Sequence, residues 1–342
     1  MFLGKLVSDD ELDSLASRVD LRELSGAQIL VTGASGMVGA YLTTSILGCS
    51  ERQGRKIPNI TVLARDSRSQ NLVDLQTHKS VRVIGSELHD WKLDQQYDCL
   101  LHLASPASPT KYHDTSSVIQ SNVGFLKRIS GSNAPRTILF VSSGEVYGAN
   151  PPIGVDEDFQ KAFIPESKRD VYPKAKLAAE HLLGEMWRLG YTTPFIARLF
   201  HTFGPGLRED DGRSFGDFLW SAARGKQIML KSSGQALRTF LYLEDATAGL
   251  LTILTRGSDG DIYNVGSENP VSILNFAKVA SKLADVGIEI PLNEEGIETL
   301  VAPSPSSRIV PSCQKLRNLG WAQEVSMEES ISRTISWIKR SL

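Results

Sequence analysis

Short apolar runs alternate with helix-length segments over the first two hundred positions of the chain. "AQILVTG" (residues 27–33) ends in glycine and leads into "GMVGAYLTTSILG", whose apolar residues keep a helical pattern. "NITVLAR" (59–65), "SVRVIGS" (80–86), "YDCLLHLAS" (97–105), "RTILFVSS" (136–143) and "TPFIARLF" (193–200) supply five more strands. A helical stretch "VIQSNVGFLKRIS" separates the fourth strand from the fifth, and a long helix over 173–189 separates the fifth from the sixth. Strands alternating with helices predict a doubly wound parallel sheet, an α/β fold of Rossmann type.

Beyond residue 200 the rhythm loosens. "HTFGPGLREDDGR" is loop, "SFGDFLWSAARG" is helix, and "LRTFLYLEDATAGLLTILTRG" is a strand followed by a helix. The last hundred residues have shorter elements and Pro/Ser-rich joints such as "APSPSS". The expected organisation is an N-terminal helical extension (1–26), a dinucleotide-binding domain (27–200 plus about 238–265), and a smaller C-terminal α/β substrate domain (about 201–237 plus 266–342) over the carboxyl edge of the sheet. In the extension, Ser8 followed by Glu11 is a capping-box pattern, and Leu12, Leu15 and Val19 keep helical spacing. This predicts an amphipathic helix outside the main fold.

Composition narrows the classes. With 41% hydrophobic and 22% charged residues, the 342-residue chain can bury a sizeable core. Lys+Arg 37 against Asp+Glu 39 gives no sign of a phosphate-tracking surface, though it allows a local basic pocket, so no nucleic-acid partner is expected. Cys49, Cys99 and Cys313 are widely spaced and odd in number, which predicts neither a metal site nor a disulfide framework and suits a reducing cytoplasm. The start "MFLGKLVSDDELDSL" lacks a signal-peptide core, and no apolar run approaches the roughly 20 residues of a membrane span. No membrane partner is expected either.

Gly33, Gly36 and Gly39 in "TGASGMVG" stand between the first strand and its helix. Glycines there allow a tight turn and let the backbone approach a pyrophosphate held at the helix N-terminus, so the cofactor is a dinucleotide. An acidic residue at the end of the second strand would bind the ribose hydroxyls of NAD, whereas arginine suits the 2′-phosphate of NADP. "VLARDSRS" offers Ala64 and Arg65, which tilts the choice toward NADP, but Asp66 leaves NAD open.

"VYPKAK" places Tyr172 four residues before Lys176, on one helical face. The lysine charge favours phenolate and would lower the tyrosine pKa toward neutrality, making Tyr172 a general base. Ser143, at the end of the fifth strand, could hydrogen-bond the same substrate hydroxyl. His102 ends the fourth strand and reads as a satisfied core histidine.

Taken together, the glycine loop, "SSGEVYG", "YPKAK", "RLFHTFGPG", "LRTFLYLEDA" and "YNVGSENPVSI" resemble the extended short-chain dehydrogenases/reductases of the nucleotide-sugar epimerase/dehydratase family. "HLASPASPTKY" and "DDGR" are most similar to its UDP-glucuronate decarboxylase branch. The resemblance implies a bound NAD or NADP, a nucleotide-diphosphate sugar, a homodimer, and transient oxidation at sugar C4 by Ser143, Tyr172 and Lys176. It implies cofactor contacts from Gly33, Ser35, Gly36, Met37, Val38, Arg65, Leu103 and Ala104 besides Tyr172 and Lys176. Substrate contacts fall on Ser105, Ser143, His201, Arg238 and Arg308.

Departures from the family pattern bear on the reaction. Related 4,6-dehydratases carry Asp-Glu after the catalytic Ser/Thr, decarboxylases carry Ser-Glu, and many 4-epimerases have no carboxylate; this chain has Gly144-Glu145. Glu145 suggests a base near C5, for dehydration or decarboxylation after C4 oxidation. Gly144 removes both the acid for a departing C6 hydroxyl and the serine of the decarboxylases, and would instead make room for a bulkier substituent or a water. His201 replaces the usual Asn, and Ser312 a frequent Asp. Lys168 and Arg169 are either solvated or contacts for a substrate anion. C4 epimerase, 4-ketoreductase and a catalytically silent dinucleotide binder remain the alternatives.

Overall fold

The computed structural model describes residues 6–106, 114–159, 170–290 and 309–342. Seven strands form the main sheet: β1 (Gln28–Thr32), β2 (Asn59–Ala64), β3 (Val81–Gly85), β4 (Cys99–His102), β5 (Thr137–Ser143), β6 (Thr193–Leu199) and β7 (Ile262–Val265). All pairings are parallel, in the order β7-β6-β5-β4-β1-β2-β3. The order reverses between β1 and β4, and a crevice opens beyond the carboxyl ends of the strands at that point.

The main helices are α1 (Asp9–Arg18), α2 (Met37–Arg52), α3 (Thr115–Ile119, continued by a π-helical turn over Gln120–Gly124 and by Phe125–Ile129), α4 (Val171–Arg188), α5 (Ser214–Ala223), α6 (Leu243–Arg256), α7 (Ile273–Ala284) and α8 (Met327–Ser341). On one face of the sheet, α1, α2 and α6 share a core that includes Leu15, Tyr41, Ile46 and Leu250. On the other, Phe125 and Leu126 of α3 pack with Ala179, Leu183 and Met186 of α4. Helices on both faces explain why the strands read as apolar runs without alternation.

Two details depart from the sequence reading. The strand expected at 237–242 divides. Leu237–Thr239 pairs antiparallel with Pro270–Ser272, while Leu241–Tyr242 pairs in parallel with Thr202–Phe203. Between them Phe240 turns into a second core with Phe203, Phe215 and Phe276, where its ring lies 4.5 Å from that of Phe276. This aromatic cluster, closed by α5, α7 and α8, carries the segments that face the sheet's carboxyl edge. The other departure is β7, whose buried Asn264 interrupts an apolar pattern. That amide is satisfied by Tyr147 Oη, which donates to Oδ1 at 2.7 Å, and by the carbonyls of Val155 and Ser312.

Helix α1 does begin with a capping box. Glu11 N donates to Ser8 Oγ at 3.3 Å and Ser8 N to Glu11 Oε2 at 2.8 Å. It does not stand outside the main fold, however. Leu12 and Leu15 are buried, and a Cβ on Gly48 would come within 2.7 Å of Leu12, so glycine there lets α1 lie close on α2. The acidic first turn of α6 completes the anchor: Glu244 accepts from Ser14 at 2.5 Å and Asp245 from Arg18 at 2.7 Å. Leu15→Ala is therefore expected to lower the free energy of unfolding by about 2–5 kcal/mol. A fall in the urea midpoint would register it, whereas an appended helix would leave that midpoint in place.

Candidate active site

The turn after β1 is shaped by backbone approaching backbone. Gly33 has φ +84, and a Cβ there would lie 2.6 Å from Ala104 N in the segment after β4. A Cβ on Gly39 would lie 2.4 Å from Gly33 O, so α2 starts directly against the loop. Gly36 is the N-cap of α2 and contributes no side-chain cap, leaving the first-turn N–H groups at the cleft free of a competing hydroxyl or carboxylate. The loop thus fits a pyrophosphate in contact with Ser35, Gly36, Met37 and Val38. Asn71 Nδ2 braces it, donating to Ser35 O and to Gly206 O at 3.3 Å each. At the end of β2 the exposed Arg65 lines the same cleft, while Asp66 accepts the Arg68 N–H at 3.0 Å.

Across the cleft, β5 and α4 present Ser143, Tyr172 and Lys176. Ser143 Oγ accepts from Glu145 N at 3.2 Å, where β5 breaks into a 3₁₀ turn. That acceptor role leaves the hydroxyl proton for another partner, and Ser143 is near enough to the Tyr172 phenol to favour its charged form. Lys176 is 2% exposed; its Nζ donates to Val141 O at 2.7 Å and sits 4.6 Å from the Phe140 ring centroid. Burial pulls its pKa down to about 7, opposed by Glu180.

The tyrosine does not behave as its neighbour's charge suggested. Burial pushes the Tyr172 phenol well above its ordinary range, and the Glu145 carboxylate adds to the rise. Ser143 and the Arg213 guanidinium work in the other direction. Lys176 Nζ lies over the tyrosine ring, 5.8 Å from its centroid, and is bonded to a carbonyl. In the chain by itself Tyr172 is a neutral phenol.

Substrate-side groups converge on this pair. Arg213, held by Asp211 at 2.5 and 2.7 Å, stacks on Phe215 with its guanidinium 4.8 Å from the ring centroid. Arg238 lines the cleft and interacts electrostatically with Glu145. His201 packs edge-on against Phe240, and burial beside Arg238 and Arg213 pulls its imidazole down to about 3. The space beside Gly144 is filled: a Cβ there would meet the Phe200 ring at 2.6 Å. The expected room for a substituent or a water is occupied by an aromatic ring.

Gly33, Ser35, Gly36, Met37, Val38, Arg65, Leu103, Ala104, Ser105, Ser143, Glu145, Tyr172, Lys176, His201 and Arg238 all line this one cleft of about 1400 Å³. Arg308, Lys168 and Arg169 lie outside the described residues. His102 is a core residue as expected, between the rings of Phe125 and Phe140. Its Nε2 reaches the Ser121 carbonyl at 3.0 Å and must carry the proton, so Nδ1 accepts from Thr32 Oγ1 at 2.6 Å. Sequence reasoning assigned no role to Arg213, although it ends the "DDGR" segment, or to Phe200, although it stands in "RLFHTFGPG", and missed Asn71, which carries no motif.

The comparisons with known proteins agree with this geometry. UDP-glucuronic acid decarboxylase 1 of Xenopus tropicalis is 27% identical over 331 residues, covering 94% of this chain and 74% of the relative. The dTDP-D-glucose 4,6-dehydratase of Mus musculus is 24% identical over 329 residues, covering 92% of this chain and 89% of the relative. In fold, the chain matches the crystal structure of UDP-glucuronic acid 4-epimerase from Bacillus cereus in complex with UDP-glucuronic acid and NAD, with a TM-score of 0.77 and 21% identity over 92% of this chain and 100% of the other. Residues 29–266 match the family model that describes the NAD dependent epimerase/dehydratase family, and the chain belongs to that family.

Proposed function

We propose that the protein oxidises C4 of a nucleotide-linked sugar with bound NAD or NADP, and then removes the C6 carboxylate as carbon dioxide. The observation that carries this reading is the convergence of Ser143, Tyr172, Lys176 and Glu145 with Arg213 and Arg238 in the cleft that also holds the glycine loop. When bound, the dinucleotide supplies the acceptor for the C4 hydride and later returns it. As the phenolate, favoured once a charged ligand offsets the effect of burial, Tyr172 takes the proton of the C4 hydroxyl, and Ser143, already an acceptor from Glu145 N, donates its own proton to the reacting oxygen. Lys176 supplies the positive charge beside the phenol.

The choice among outcomes turns on the groups next to Ser143. Elimination of a C6 hydroxyl needs an acid to protonate it, and Gly144 has no side chain, with Phe200 packed where one would stand. A C6 carboxylate, by contrast, suits a pocket in which two guanidinium groups lie close to Glu145 and to a neutral His201. Relatives named UDP-glucuronic acid decarboxylase support the same choice. C4 epimerisation of a uronic acid sugar is the second reading, since it needs the same anion pocket and no acid at position 144. A homodimer in the cytoplasm fits the family resemblance and the three buried thiols. Among the described residues no helix is long and apolar enough to cross a membrane, and no group of three or more His, Cys, Asp and Glu is placed to hold a metal ion.

Incubation with UDP-glucuronic acid and other nucleotide sugars, read by mass spectrometry, tests the reading. Loss of carbon dioxide is expected; loss of water, an unchanged mass with inverted C4, or gain of two hydrogens would point to dehydratase, epimerase or reductase. Tyr172→Phe should lower kcat by about 10²–10⁴-fold with binding retained, while turnover by neither form would favour a silent binder.

The dinucleotide released on denaturation reports the cofactor: NADP would follow the tilt given by Ala64 and Arg65, and NAD the alternative left open by Asp66. Arg65→Ala should reduce the preference for NADP over NAD by at least about tenfold, as loss of a charge-assisted bond to a phosphate would. Finally, Gly144→Ser is expected to destabilise the fold by about 1–3 kcal/mol through overpacking. Combination with Phe200→Leu should recover most of the lost thermal stability.

A further inference from the structure

Tyr172, Lys176 and Glu180 follow one another at intervals of four along α4 and so share one face. Each meets one of three successive residues of β5. Tyr172 lies near Ser143, Lys176 Nζ donates to Val141 O at 2.7 Å, and Glu180 Oε1 accepts from Ser142 Oγ at 2.5 Å. Glu180 is 6% exposed and lies beneath the cleft, outside the set of side chains that line it.

The carboxylate is held from the next strand as well. Arg198 on β6 donates from Nε to Oε1 at 3.2 Å and from its terminal nitrogen to Oε2 at 2.8 Å. The other terminal nitrogen of Arg198 reaches Tyr147 Oη at 3.0 Å and Glu157 O at 3.2 Å. A buried ion pair of this kind is a weak source of net stability, because desolvating both charges cancels most of their attraction. Its geometry serves another purpose.

We propose that Glu180 is a positioning residue for Tyr172 and Lys176: it fixes the register of α4 on β5 through Ser142 and sets a negative charge one helical turn from the lysine ammonium. The inference rests on the reading of Tyr172 and Lys176 as the reacting pair. Every element packed around Lys176 has been assigned a charge state by its contacts. On β5 it faces the Val141 carbonyl and the Phe140 ring, and on β4 the neutral His102. On α4 it faces the neutral Tyr172, and Arg198 on β6 is matched by Glu180 itself. Burial outweighs Glu180 and leaves Lys176 at about 7, and Glu180 is the group that opposes a further fall. Without that carboxylate the ammonium would lose its proton below the neutral range, and the positive charge beside the phenol with it.

The test titrates Lys176 directly, by the ¹³Cε shift of labelled lysine in the chain without dinucleotide, the signal being assigned by its absence in Lys176→Arg. The wild-type signal should titrate near 7. In Glu180→Gln the midpoint should fall by about one pH unit or more, and Glu180→Asp should bring it back toward the wild-type value. Because Glu180→Gln leaves Arg198 charged and buried, the double variant Glu180→Gln/Arg198→Met provides a folded counterpart whose midpoint should also fall, by less. The alkaline limb of kcat should move down by the same amount as the titration.

An unchanged Lys176 midpoint in the folded variants overturns the proposal. So does a moved midpoint with an unmoved kcat limb, since a purely structural role would lower melting temperature alone. Absence of turnover in the wild type with a moved midpoint would instead remove the assigned reaction and leave the Glu180–Lys176 coupling standing.

Discussion

An ammonium group out of contact with water is the constraint around which the cleft is arranged. Lys176 is buried at the junction of β5 and α4, and the cost of desolvating it is offset by a carbonyl, an aromatic face and a carboxylate one turn away. The same burial that lowers the lysine raises the tyrosine beside it. Both shifts favour the neutral forms, so the pair is at rest until a charged ligand changes the field. The Tyr-x-x-x-Lys spacing supplies proximity; the surrounding protein decides the protonation states.

The opposite wall of the cleft has the reverse character. Arg213 and Arg238 bring two positive charges close to Tyr172, Glu145 and His201, and burial together with these charges suppresses the protonation of His201. A neutral imidazole in the field of two guanidinium groups can offer hydrogen bonds without adding charge. An anionic sugar entering this wall would meet cations already held in place, Arg213 by Asp211 and Phe215. Preorganised charge of this kind favours the binding of a carboxylate; its loss as carbon dioxide depends instead on charge stabilised at the C4 oxygen.

The first six strands were legible because parallel strands buried on both faces are short apolar runs, and the glycine loop because its strand and helix flank it in sequence. β7 was hidden by Asn264, a polar residue that is acceptable in the core only because Tyr147, Val155 and Ser312, all distant in sequence, satisfy it. The amphipathic pattern of α1 announced a helix and its cap, yet the surface it covers depends on Gly48 and on the acidic turn at Glu244 and Asp245. The spacing of Tyr172 and Lys176 was correct, while the inferred acidification of the phenol was not. Burial and the Glu145 charge come from tertiary neighbours that a four-residue spacing does not reveal.

Gly144 illustrates how one missing side chain shapes the chemistry at a site. The backbone at this position forms the first turn after β5, and the Phe200 ring at the end of β6 packs 2.6 Å from where a Cβ would stand, well inside van der Waals contact. The ring also stacks on Tyr147, whose hydroxyl belongs to the network of Arg198 and Asn264. Filling position 144 would therefore disturb the contacts that hold Glu180 as well as the space beside Ser143. With that space closed, Glu145 is left as the carboxylate of the segment "SSGE", and its charge falls on Tyr172 and Arg238. In the proposed reaction such a site would take the proton of the C4 hydroxyl and hold an anion near C5, but it has no side chain at 144 to protonate a departing hydroxyl.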